Sequence, residues 1–308
     1  MQENNGRRNP FLHGPAFVLP LLIAFGTASF FSIGKLGKVP SLLIVAALLL
    51  ITFSVSLVLA LRLRGAGWIR GCFGGRKRGG FAVCLAASAL MMVQSATIRS
   101  FLFSDLYDYR MYSLYGVSLE GMADSPGLFF GAFLLLGAVP ALLEAVLFRG
   151  ILMHEYRFGG VGVSIAASSV LYALLGMSYA DFPVYFLNGV LLSAVVFLTG
   201  NLLYSVLSHL LYLLFAMTFE KYFLFIAAEA ETRVLLFLVL AALGLASLIW
   251  FCGSAEKILR QRGEDEEKAP GRLKKGRMAI VFWDMLSAPF LWADIVCFVL
   301  VCVLHIFL

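Results

Sequence analysis

The chain has 308 residues, 61% of them hydrophobic and 14% charged, with a formal net charge of +6 and a mean hydropathy of +0.92. That leaves too little polar surface to cover a globule in water, which excludes a soluble globular protein. Repeated apolar runs near the length of a bilayer crossing predict an all-α fold instead, a polytopic transmembrane helical bundle of about eight to nine spans.

In chain order the apolar runs fall at 16–34, 41–61, 81–98, 128–148, 161–179, 182–198, 202–219, 234–252 and 290–308. Lys35-Leu36-Gly37-Lys38, not a small-residue cleavage site, follows the first run and predicts a retained helix. With the N-terminus placed in the cytoplasm, 18 of the 24 Lys and Arg fall on the cytoplasmic side, as the positive-inside rule requires. The setting expected is a bacterial plasma membrane. RLRGAGWIRGCFGGRKR (62–78) lies between two spans, so it reads as a contact with anionic lipid heads and not as a nucleic-acid site. The five cysteines form no CxxC pair and read as small apolar residues.

The organisation follows from these runs. Residues 1–127 hold N-terminal transmembrane helices and loops, and 128–219 form a core. Residues 220–308 hold C-terminal helices with a cytoplasmic linker at 253–277. The linker's mixed charge, four Gly and a Pro predict flexibility. The stretch 278–289, MAIVFWDMLSAP, suits an interfacial helix leading into the last span.

Ionisable groups inside the spans are few: Glu144, His209 and Asp294, with Asn188 and Gln94 as neutral cases. A charge at mid-bilayer costs roughly 2.5–3.5 kcal/mol, so Glu144 and His209 are expected to face the bundle interior and each other. Asp294, close to Trp292 and Pro289, reads as a solvated acid at the membrane interface. On an α-helix Arg149 lies four residues beyond Ala145, where a Glu would pair with it. Its expected partners are therefore Glu155, a lipid phosphate or helix-end carbonyls, and one reading is an anchor that snorkels to the interface. A catalytic zinc needs three protein ligands and an open position. Glu144 and His209 supply two, and His154 falls past the end of the helix, so no metal and no cofactor is expected.

EAVLFRG (144–150) resembles the "EExxxRG" motif of the CPBP intramembrane proteases, also called the Abi or type II CAAX prenyl endopeptidase family. SSVLYALLG (168–176) stands where that family has "FxxxH". A span, the turn Thr199-Gly200-Asn201-Leu202 and a helix carrying His209 then follow in the family's order, over about 128–216. The resemblance makes Glu144 the water-activating base, and keeps Arg149, Gly150 and His209 as site positions. It also shows what differs: Ala145 replaces the second Glu, Gly176 the His of the second motif, and Leu213 the Asn of the last.

Peptide hydrolysis needs a base for water and donors for the developing oxyanion, and losing one donor commonly costs about 10²–10³-fold in rate. Two polar partners are missing here, with Asn188, Tyr172 and Tyr212 as replacements to consider. The first functional reading is a degenerate, non-proteolytic member acting as a scaffold or immunity-type protein. Its partners would be the lipid bilayer and another membrane or cell-envelope protein, with no nucleic acid. The alternative is an active intramembrane endopeptidase using Glu144 and His209. A third class, a small-molecule transporter or channel, would need broken helices or paired charges around a midplane site.

Overall fold

The computed structural model describes residues 13–30, 37–64, 79–102, 113–114, 117–118, 125–265 and 284–307. Most of the basic loop with Cys72, residues 266–277 of the linker and 278–283 of the expected interfacial helix lie outside the described residues. The helices are α1 (His13–Phe30), α2 (Lys38–Arg64), α3 (Gly80–Leu102), α4 (Pro126–Tyr156) and α5 (Val161–Leu174). They continue as α6 (Phe182–Thr199), α7 (Leu202–Thr218), α8 (Glu220–Ala228), α9 (Ala230–Asp265) and α10 (Pro289–Phe307). Two paired two-residue strands, Ser113–Leu114 and Val117–Ser118, are the only extended structure among the described residues.

The protein is an all-α integral membrane protein. Five described helices are long and apolar enough to cross a bilayer, and α7 with α8, bent by 47°, form a sixth. Three shorter apolar helices, α1, α5 and α10, fall on the remaining expected runs. Large apolar side chains such as Val234, Leu235 and Ile249 stand exposed on α9, the arrangement a lipid-facing helix requires.

One expectation is corrected here. Helix α9 runs on to Asp265, so the first half of 253–277 is helical and not a flexible linker. The segment combines good helix formers with an i,i+4 pair, Glu256 to Arg260 at 2.5 Å.

The main apolar core draws chiefly on α1, α2, α4, α5, α7 and α10, while α3 packs against α6, α7 and α9, and α5 lies along α6. The close approach of α5 and α6 depends on Gly189: a Cβ there would stand 3.0 Å from Ser169 Cα and 3.1 Å from the Tyr172 ring. The α6–α7 turn is closed from both sides. Gly200, at φ +68, ends α6 in the left-handed conformation that favours glycine. Asn201 then caps α7 by accepting from the Leu203 N–H at 2.9 Å. His209 thus sits at a fixed height on α7.

Asp294 is also corrected. It is fully buried on α10, and neither carboxylate oxygen has a hydrogen-bond partner among the described residues. Trp292 does point outward, 51% exposed and donating to the Leu286 carbonyl, so the interfacial cue belongs to that face of the helix alone.

Candidate functional site

The site begins with how α4 is wound. Its backbone carries π-helical turns at Phe133–Ala138 and Ala145–Leu152, on either side of the α-helical Val139–Glu144. In an α-helix, residues five apart are turned about 140° from one another. The i→i+5 ladder of a π-helix brings the fifth residue back nearly over the first. Arg149 therefore shares the interior side with Glu144. Two serines on α5 hold this winding, since Ser164 donates to the Met153 carbonyl and Ser168 to the Phe148 carbonyl, both at 2.7 Å.

Glu144 on α4 and His209 on α7 are buried, and Glu144 Oε2 lies 3.5 Å from His209 Nδ1. The Tyr172 hydroxyl on α5 lies 3.5 Å from His209 Nε2. Both contacts are long beside the roughly 2.7–2.9 Å of a strong charge-assisted hydrogen bond. Tyr212 stacks on the imidazole with ring centroids 6.3 Å apart, while its hydroxyl meets Ser95 Oγ at 3.0 Å. Of the replacement donors considered above, Tyr172 reaches the histidine. Asn188 is engaged by Gln94 at 2.5 Å.

Arg149 departs from the expectation of an interfacial anchor. It is only 3% exposed, so it does not snorkel. Its guanidinium carbon lies 4.1 Å from the Tyr172 ring centroid and 5.8 Å from that of Phe148. The Tyr172 hydroxyl and Glu144 are near enough to feel its charge. Beyond a hydrogen bond with the Tyr172 hydroxyl, none of its nitrogens has a partner among the described residues.

Positions 145, 213 and 176, where the resemblance expects polar side chains, are filled by hydrocarbon or backbone. Ala145 packs with Leu202. Leu213 is buried in the main apolar core, 3.8 Å from where a Cβ on Gly137 would stand. Position 176 falls beyond the end of α5, and a Cβ there would stand 3.2 Å from Tyr185 and 3.4 Å from Asp181 Cβ. Among the described residues no three His, Cys, Asp or Glu side chains gather where they could hold a metal.

A second polar cluster, absent from the sequence expectations, lies one layer away. Arg99 on α3 donates to Glu220 at 2.6 Å and to Asp181 at 2.8 Å. Ser95 donates to the other Glu220 oxygen at 2.6 Å and also touches Tyr212. Glu220 is fully buried at the bend between α7 and α8. These ions come from the ends of expected spans, where a charge ordinarily meets water. The available signal was that all three fall at the same end of the bundle in the span order.

Chemically, the first cluster supplies one carboxylate able to take a proton, an imidazole able to pass one, and a single hydroxyl. The Arg149 guanidinium adds a cation beside the Tyr172 ring. Residues 126–215 match the family model described as Type II CAAX prenyl endopeptidase Rce1-like. No curated protein and no solved structure matches the chain.

Proposed function

We propose that this membrane protein, whose residues 126–215 match the CAAX-endopeptidase-like family model, works without cleaving peptides. It acts as a scaffold or immunity-type protein that engages another membrane or cell-envelope protein through the retained core. The observation that carries this reading is Leu213. Where the resemblance puts an amide donor, the chain places a hydrocarbon side chain buried in the apolar core. Glu144 lies 3.5 Å from His209, which in turn lies 3.5 Å from the Tyr172 hydroxyl, contacts that suit holding a polar group better than stabilising a tetrahedral oxyanion.

The orientation we adopt puts the N-terminus in the cytoplasm of a bacterial plasma membrane. Labelling of Cys72 from outside intact cells then fails, and efficient labelling reverses the orientation.

A second reading rests on one contact. The Tyr172 hydroxyl beside His209 Nε2 supplies a donor that the family pattern does not have, and an endopeptidase would use it in place of the missing side chains. Restoring Ala145→Glu with Leu213→Asn separates the two readings. Both changes avoid the crowding that a histidine would meet at position 176. Under the proposal, Glu144-dependent cleavage of a membrane peptide appears only in the restored protein. Cleavage by the unaltered protein, abolished by Glu144→Ala, favours the second reading.

A further inference from the structure

Helix α10 lies outside the residues that match the family model, and it carries an acid that the Glu144 cluster does not use. Asp294 is fully buried, and neither carboxylate oxygen has a hydrogen-bond partner among the described residues. The two other acids buried as deeply among those residues are met: Glu220 takes Arg99 and Ser95, and Glu144 lies beside His209. A buried carboxylate with no donor in reach calls for an explanation, and an ion is one of the few available.

The packing around α10 shows where the acid points. Leu291, Asp294 and Val301 share one face of the helix by their spacing, and all three are buried. That face meets α1, because a Cβ on Gly26 would stand 2.8 Å from Val301 Cγ2. Near the other end of α1, a Cβ on Gly14 would overlap the Tyr156 hydroxyl at the end of α4. Tyr156 in turn is near enough to Asp294 to feel its charge. Helices α1 and α10 therefore run parallel. Asp294 stands about 10 Å before Val301, level with the part of α1 that Pro20 interrupts. Pro20 has no N–H to give the Ala16 carbonyl, so a backbone acceptor is released from its helical bond at the height of the acid.

We propose that Asp294 is a binding site for a monovalent cation, a proton or Na⁺, seated between α1 and α10 beside the Tyr156 hydroxyl. The site stands whether or not the Glu144 cluster cuts. No fixed cation competes for it: α1 carries no charged side chain from Gly14 to Phe30, and α5 none from Val161 to Leu174. The ionisable groups that feel Asp294 among the described residues are Tyr156 on α4 and Cys297 on α10 itself. One carboxylate balances one positive charge. A divalent ion asks for more acidic oxygens, and no three His, Cys, Asp or Glu gather among the described residues. An organic cation finds no room, because Phe17, Val18 and Leu21 are fully buried along the same stretch of α1. Occupied, the α1–α10 seam is neutral. Emptied, it holds a bare carboxylate among hydrocarbon, which loosens α10 from α1.

The test uses the full-length protein in phosphatidylcholine nanodiscs. Dicyclohexylcarbodiimide takes up the O–H of a protonated carboxyl across one C=N bond, and the product rearranges to a stable N-acylurea. The adduct on Asp294, mapped by mass spectrometry, therefore reports the proton-filled site. The expected result is an adduct that declines as pH is raised in choline chloride. A further decline on exchanging choline for Na⁺ at fixed pH shows that Na⁺ also binds, and no further decline assigns the site to the proton alone. Cys297, half-buried one turn along α10, reports the seam: its reaction with a maleimide, taken relative to Asp294→Asn at the same pH, speeds several-fold as the site empties. Asp294→Asn keeps the shape without the charge and loses the adduct. If that variant does not fold, the pH and salt dependence of the adduct on the unaltered protein decides. An absent adduct, an adduct equal at every pH and in both salts, or a Cys297 rate that tracks Asp294→Asn throughout overturns the proposal.

Discussion

Arg99 and Arg149 lie on different helices, each within a π-helical stretch, and each is nearly inaccessible. One ties three segments together, joining the end of α3 to the start of α6 through Asp181 and to the α7–α8 bend through Glu220. The other lies against the Tyr172 and Phe148 rings with no carboxylate at ion-pair distance among the described residues. A guanidinium paired this closely costs stability when a partner is removed. A guanidinium left without a carboxylate already carries its desolvation cost, so removing it costs the fold little. The first pattern marks architecture, and the second leaves the fold little to lose at Arg149.

The largest expected effect tests the architectural half. Glu220→Gln leaves Arg99 with one partner in a buried setting and destabilises the protein by about 3–5 kcal/mol, read from unfolding in mixed micelles. A loss under about 1 kcal/mol would mean that Arg99 is not held as described. A middling effect belongs to Ser168→Ala, which strips the donor from the Phe148 carbonyl and loosens the π winding. Its expected cost is about 1 kcal/mol. Asp181 is partly exposed, its side chain at 22%, so Asp181→Asn falls below about 1 kcal/mol in the same unfolding measurement. The smallest effect on stability is expected from Arg149→Met, within about 1 kcal/mol of the unaltered protein in either direction. A loss as large as that of Glu220→Gln would place Arg149 with the architecture and erase the comparison.

Hydropathy made the spans legible, because the apolar runs are long and nearly uncharged. The meeting of Glu144 with His209 was legible too, since two ionisable groups in lipid have few places to go except toward each other. The position of Arg149 was not. Spacing arguments assume 3.6 residues per turn, and nothing in AVLFRGIL announces an i→i+5 ladder; pairing position 145 with 149 was therefore the wrong geometry. The Arg99 cluster was hidden for another reason. Its charges sit at span ends, and only the packing of α3 against α6 and α7 encloses them. Asp294 was misread because Trp292, two residues away, faces outward while the acid faces the core.

The central claim is that the Glu144 cluster binds and does not cut. Its most direct test places the purified protein in liposomes with a library of membrane-anchored peptides and reads new N-termini by mass spectrometry, with Glu144→Ala in parallel. The account predicts the same background from both proteins. Cleavage products made by the unaltered protein and absent with Glu144→Ala would contradict it.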